Sequence, residues 1–211
     1  MLPLVSALFG RAFSRGPRTH RQVALTFDDG PSEETPAFLD LLDAFAARAT
    51  FFQCGQNVER LPAISRVVRD RGHEIGNHTW SHPRLPFCAP ARIREEIGRA
   101  QEALARAAGV RPRLFRPPYG LPGLGLPRAL RQHGLVSVMW TVMGYDWEWE
   151  ASEIAAHVLS HVSNGAIVCL HDGNRVSPQV DRRNTLEALR AILPKLRDRG
   201  FTFVTAGEMI A

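Results

Sequence analysis

The chain has 211 residues, enough for one domain with a substantial core. With 45% hydrophobic and 22% charged residues, it falls outside the disordered and fibrous classes. The net charge is +5, yet Arg92, Arg94, Arg99 and Arg106 are dispersed along a helical pattern and no basic run is interleaved with aromatics, so no nucleic-acid partner is expected.

Met1 to Gly10 (MLPLVSALFG) is apolar, lacks a basic leader and is too short to span a bilayer. Residues 1–21 therefore read as an N-terminal segment, either a helix packed on the domain or the remnant of an export or anchor sequence. Membrane association, if any, would run through it. The domain proper is expected over residues 22–211.

Gln22 to Phe27 (QVALTF) is a short β-prone run that ends at a DDGP turn. Thr35 and Pro36 have the pattern of an N-cap and first helical residue, for a helix reaching Ala47 with Phe38, Leu41, Leu42 and Phe45 on one face. Ala49 to Gln53 reads as a second strand. Pro62 to Arg71 reads as a helix stopped by Gly72, and His73 to Asn77 as a third strand. Ala91 to Ala108 is a long amphipathic helix ended by Gly109. Further strands are predicted at Arg113 to Phe115, Leu135 to Trp140, Ala166 to Leu170 and Thr202 to Val204. Helices fall near Pro127 to Gln132, Glu153 to His161 and Thr185 to Asp198. This alternation implies a parallel sheet covered by helices; a βα barrel and an open doubly wound sheet both satisfy it. No GxGxxG follows the first strand and no P-loop occurs, which removes support for nucleotide folds.

Polar residues collect at the carboxyl ends of these strands: Asp28 and Asp29, His78, Arg116, Asp146 and His171. In barrels and open sheets alike, that edge binds ligands. His78-Thr-Trp-Ser-His82 sets two imidazoles four residues apart, a spacing that lets both grip one ion. Two histidines and one carboxylate leave open metal positions, the mark of a catalytic site. Adjacent carboxylates repel, so a metal on Asp29 and the Arg116 cation on Asp28 would settle both charges. Arg116-Pro-Pro-Tyr-Gly120 is stiff enough to aim a backbone N–H. The cysteines, Cys54, Cys88 and Cys169, are odd in number and form no CxxC, so neither a disulfide framework nor a thiolate metal site is expected.

Five ordered segments, Thr26-Phe-Asp-Asp-Gly-Pro31, His78-Thr-Trp-Ser-His82, Arg116-Pro-Pro-Tyr-Gly120, Asp146-Trp147 and Leu170-His171-Asp172, resemble the motifs of the polysaccharide deacetylase family, also called carbohydrate esterase family four or the NodB homology domain. The resemblance runs from about Gln22 to the C-terminus. It implies a distorted parallel βα barrel of about seven strands. It also implies one divalent ion, zinc or cobalt, on Asp29, His78 and His82. Asp28 would be the general base, held by Arg116, and His171 the general acid, tuned by Asp146. The Tyr119 backbone N–H would stabilise the oxyanion, and Trp147 and Leu170 would wall the acetyl methyl. Met143 departs from the family, many members of which carry an acid shortly before the Asp-Trp pair. His73 matches a structural position rather than a ligand.

The expected reaction is removal of acetyl groups from an N-acetylated glycan of chitin-oligomer or peptidoglycan type, by a monomer located in the cell envelope. An O-acetyl (xylan-type) esterase and a deacylase or deformylase of a lipid-linked sugar would use the same residues. Outside the family, a non-haem iron oxygenase shares the ligand set but is usually all-β. A non-catalytic carbohydrate-binding module would be expected to lack a ligand or the base.

Overall fold

The computed structural model describes residues 10, 12–177 and 179–211. Nine strands form one sheet: β1 (Ala12–Phe13), β2 (Gln22–Asp28), β3 (Ala49–Gln53), β4 (Glu74–Asn77), β5 (Leu114–Phe115), β6 (Val136–Val138), β7 (Val142–Met143), β8 (Ala166–His171) and β9 (Thr202–Phe203). Their order is β1-β6-β5-β4-β3-β2-β8-β7, with β9 on β2, and every ladder is parallel. Val138 and Val142 lie near opposite ends of this path. The chain between them spans at most about 14 Å. The sheet must therefore curl back on itself, which makes it a distorted barrel rather than an open doubly wound sheet. Met139 N–H bonds to the Phe13 carbonyl and Thr141 N–H to that of Ile167, so the same short crossing stitches the two sides together.

Eight α-helices are described: α1 (Thr35–Ala44), α2 (Gly55–Arg60), α3 (Pro62–Asp70), α4 (Pro90–Ala108), α5 (Leu126–Gln132), α6 (Ala151–His161), α7 (Arg183–Asp198) and α8 (Ala206–Ile210). The seven predicted strands are all present, and β1 and β7 are additions. Helix α1 differs from expectation at both ends. Its cap is Glu34, not Thr35, because the Thr35 hydroxyl donates to the Asp172 carboxylate at 2.6 Å. It stops at Ala44 because Ala46 turns to φ 48°. Within the N-terminal segment, Ala12–Phe13 is a strand paired with β6 and not a helix; the expectation for Met1 to Phe9 and Arg11 lies outside the described residues. No described helix is long and apolar enough to cross a membrane.

Side chains alternate across the strands. Leu25 and Phe27 of β2, Phe51 of β3 and Val168 and Leu170 of β8 point outward and pack with Phe38, Val158, Leu189 and Ile192 of the helical layer. Ala24, Phe52 and Ile167 point inward and meet Ala206 and Met209 of α8. Backbone N–H groups of α8 bond to Thr50 and Glu74, at the starts of β3 and β4, so this helix closes the amino end of the barrel. The carboxyl end stays open, and inward positions there carry Thr26, Asp28, Cys169 and His171 in place of apolar residues.

Candidate active site

Asp28 ends β2, and its carboxylate Oδ1 accepts a 2.7 Å bond from Arg116 Nη1. Arg116 is fully buried. Its other donors go to Thr26 Oγ1 and to the Val138 and Met139 carbonyls, and its guanidinium carbon lies 4.2 Å from the Phe52 ring centroid. A buried cation with every partner fixed holds Asp28 in one orientation. Its Oδ2 is left for Cys169, whose thiol donates at 3.5 Å. Burial pushes the Cys169 thiol pKa well up, and the Asp28 charge adds to that, so it stays protonated.

Asp29 turns away at φ 73°, which separates the two adjacent carboxylates. Asp29 Oδ1 stands 3.4 Å from His78 Nε2 and 3.1 Å from His82 Nε2. Oδ2 accepts the Arg175 backbone N–H at 2.7 Å. Burial raises the Asp29 pKa, but the two imidazoles beside it overcome this and hold the group well below the usual carboxylate range. His78 Nδ1 donates to the Arg116 carbonyl at 2.7 Å, which leaves the Nε2 lone pair facing the site. His82 follows a turn with Thr79 at φ 68° and itself at φ 56°, so the pair is not carried on a regular helix as the spacing suggested.

These three atoms can hold a cation. Asp29 Oδ1 is buried without a hydrogen-bond partner, and all three ligand atoms lie within 4.8 Å of one another. Two ligands of a tetrahedral zinc ion stand about 3.4 Å apart. Two nitrogens and one oxygen also suit a borderline divalent metal. Asp28, Cys169 and His171 converge similarly, but Arg116 holds the first, a proton the second and Asp146 the third.

His171 ends β8, and its Nδ1 is 2.7 Å from Asp146 Oδ1. Asp146 Oδ2 accepts the His171 backbone N–H and the Thr185 hydroxyl. Burial disfavours the imidazolium, but the Asp146 carboxylate outweighs it, with help from Asp29 and Asp28, and raises His171 to about 9. Trp147 stacks edge-on against His171 at 5.3 Å and is half exposed.

Asp28, Asp29, His78, His82, Tyr119, Trp147 and His171 border one cavity of about 410 Å³. Tyr119 is in a left-handed conformation (φ 59°) and packs on His82 at 4.7 Å. Leu170, expected beside the acetyl methyl, is fully buried, packs in the outer core and is not among the residues that border this cavity. The twofold alternation of β8 sends 169 and 171 inward and 170 outward, so Cys169 borders the cavity together with Trp140 and Met143. His73 accepts a bond from Ala49 N–H, away from the cavity.

Four supporting groups were given no role in the sequence reading. Asn57 of α2 donates to the Asp29 and Arg175 carbonyls at 2.7 and 2.6 Å, clamping the ligand turn to the 173–177 loop. Thr185 braces Asp146. Asp172 is buried, receives Thr35 and sits against Gly30, and burial lifts its pKa to about 7. Arg182, 7% exposed, borders the cavity. A polar residue two places into a helix that follows a strand was the one available signal for Asn57.

A polysaccharide deacetylase family model matches residues 15–138. A peptidoglycan-N-acetylglucosamine deacetylase of Bacillus cereus is 37% identical over 203 residues, covering 95% of this chain and 72% of the relative. A chitooligosaccharide deacetylase of Bradyrhizobium is 37% identical, covering 86% of this chain and 87% of the relative. Against a peptidoglycan deacetylase of Listeria monocytogenes, 34% identical, the chain spans 39% of the relative's length. Among crystal structures, a peptidoglycan N-acetylglucosamine deacetylase superposes with a TM-score of 0.90 at 35% identity, covering 98% of this chain and 95% of the other. A family 4 carbohydrate esterase from Streptomyces lividans, in complex with acetate, gives 0.80 at 35% identity over 87% and 92%. With the matched model spanning more than half the chain and these relatives covering most of it, the chain belongs to the polysaccharide deacetylase family.

Proposed function

We propose that this protein is a metal-dependent hydrolase that removes acetyl groups from N-acetylhexosamine units of a cell-envelope glycan, with residues 22–211 as its catalytic domain. One observation carries the reading: a two-histidine, one-carboxylate cluster shares a single cavity with an Arg-held carboxylate and an Asp-held imidazole. The named activities of the relatives support the acetylated-glycan class.

Asp29, His78 and His82 would hold the divalent ion, zinc in this reading, which supplies Lewis acidity toward the acetyl carbonyl and acidifies a water at the site. Asp28 accepts the proton of the attacking water at Oδ2. Its Oδ1 is committed to Arg116, which holds the group in one orientation. The Tyr119 N–H receives the developing oxyanion charge. His171 delivers a proton from Nε2 to the leaving nitrogen while Asp146 holds Nδ1. Trp147 covers the acyl group. Acetate and a free amine are the products.

The test compares Asp28→Asn with Asp29→Asn, reading acetate release from an N-acetylglucosamine oligomer beside bound metal. Asp28→Asn should lose activity by about a hundredfold or more with metal retained. Asp29→Asn should lose the metal. Equal metal loss in both would reverse the assignment, and release of acetate from O-acetyl xylan alone would replace the amide substrate with an ester.

A further inference from the structure

The loops that lead into α4 and α5 touch each other. A side chain at Gly123 would strike the Leu85 carbonyl, and one at Gly125 would strike Pro90. Both loops are pinned from beneath, because Leu85, Ile93 and Leu126 share one buried cluster. Their tips stay in water although they are apolar. Phe87 is 84% exposed, Leu124 71% and Leu121 43%. Pro86, Ala89, Pro90 and Ala91 are exposed beside Phe87. A single exposed apolar residue is ordinary, but a group of them rimmed by polar residues marks an interaction surface.

The rim carries one sign. No Asp or Glu occurs between Glu74 and Glu95, or between Glu102 and Asp146. Glu95 and Glu96, the first acids after the Phe87 loop, both pair with Arg92. Arg84, Arg128 and Arg131 are exposed, and among the described residues no carboxylate ion-pairs with any of them. Arg84 lies over Tyr119, 5.2 Å from the ring centroid, and both border the candidate cavity. Gly120, next to Leu121, borders it too, so the patch reaches the cavity mouth. Past Trp147 the surface turns acidic, with Glu148, Glu150 and Asp181.

A soluble polyanion would engage the arginines and leave Phe87 and Leu124 in water. A bilayer with anionic headgroups takes both groups. Apolar tips enter its interface while guanidiniums stay at the level of the phosphates. The same surface repels the acidic side past Trp147, which sets the orientation. We propose that Phe87, Leu121 and Leu124, with Arg84, Arg128 and Arg131, dock this domain on an anionic lipid bilayer and hold the cavity mouth beside the headgroups. This surface is separate from the apolar run Met1 to Phe9. That run joins the described chain at Gly10, which rests against Pro127 in the first turn of α5.

The experiment is co-sedimentation of the full chain with vesicles of equal parts phosphatidylglycerol and phosphatidylcholine, and with vesicles of phosphatidylcholine alone. Binding should favour the anionic vesicles and weaken as salt rises. Phe87→Ser with Leu124→Ser should lower partitioning at least about tenfold, since each side chain loses its apolar burial. Its Tm and its acetate release from a soluble N-acetylglucosamine oligomer should match the wild type, because both side chains are exposed and outside the site. Arg84→Gln with Arg128→Gln should cost about tenfold or more at low salt, with the loss shrinking at high salt. Failure of the wild type to bind anionic vesicles overturns the proposal. Undiminished binding by the serine variant overturns it as well, and moves the contact to Met1 to Phe9. Polyglutamate that displaces the protein from vesicles as readily from the wild type as from the serine variant would mark a polyanion site instead. Sedimentation needs neither metal nor substrate, so its outcome leaves the deacetylase reading untouched.

Discussion

At the residue scale, the site divides like charges and like rings by what each is tied to. Asp28 and Asp29 are neighbours, yet one faces Arg116 and the other two imidazoles. His78 and His82 face Asp29 while His171 faces Asp146. The last contact makes a pH prediction. His171 is raised from 6.5 to about 9, so its charged form is complete below 6.5 and lost as pH climbs through the raised value. If His171 donates the proton, kcat/KM for an amide substrate falls along that alkaline limb. Asp146→Asn leaves burial unopposed by its strongest counterweight, and the limb should move to lower pH. A cation on Asp29 cancels part of the local negative field, so the loaded enzyme's limb lies below 9 in both proteins, and the shift between them is what counts. The same limb in wild type and Asp146→Asn would remove His171 from the donor role. These tethers explain what the sequence could reveal. The charged residues were visible because they are chemically distinctive and sit at predicted strand ends. Which face Leu170 takes was less legible, because a single-residue step along β8 reverses the face and Leu170 lies one step from inward-facing His171.

At the element scale, strands with a full hydrophobic run were legible nearly to the residue, as with Ala49–Gln53. The two unforeseen strands, β1 and β7, have two residues each, too few to show a period of two. Helix α2 was hidden by a Gly start and polar content, yet it carries Asn57, whose amide ties the Asp29 turn to the loop after β8. Asn57 is buried, and its carbonyl oxygen in turn accepts Arg60. Asn57→Ala leaves two loop carbonyls without their donor, at a cost of about 1–3 kcal/mol each if water does not replace it. The expected result is a lower Tm together with weaker metal binding, because Asp29 loses its brace. Weaker folding with unchanged metal affinity would show that α2 supports the barrel and not the ligand turn.

At the scale of the whole molecule, the candidate metal site is a cross-link. Asp29 follows β2, whereas His78 and His82 follow β4, and β3 lies between them in the sheet. An unfolded chain holds these side chains at no fixed distance, so an ion that needs all three binds the folded state alone. Such binding adds stability as the logarithm of ion concentration over Kd, about 2.7 kcal/mol at a hundredfold excess. For a domain of this size that corresponds to a rise in Tm of roughly 5–11 °C. Zinc added to the chelated protein should therefore raise Tm, with the rise growing by equal steps for each tenfold increase in zinc. The doubly substituted protein, His78→Ala with His82→Ala, should not respond, which separates this site from weak binding to half-buried His157 and exposed His161. The readout needs no substrate, so it tests the ion without testing the reaction. A wild type whose Tm ignores zinc, or a double variant that rises as far, would mean that Asp29, His78 and His82 hold no such ion, and their convergence would need another account.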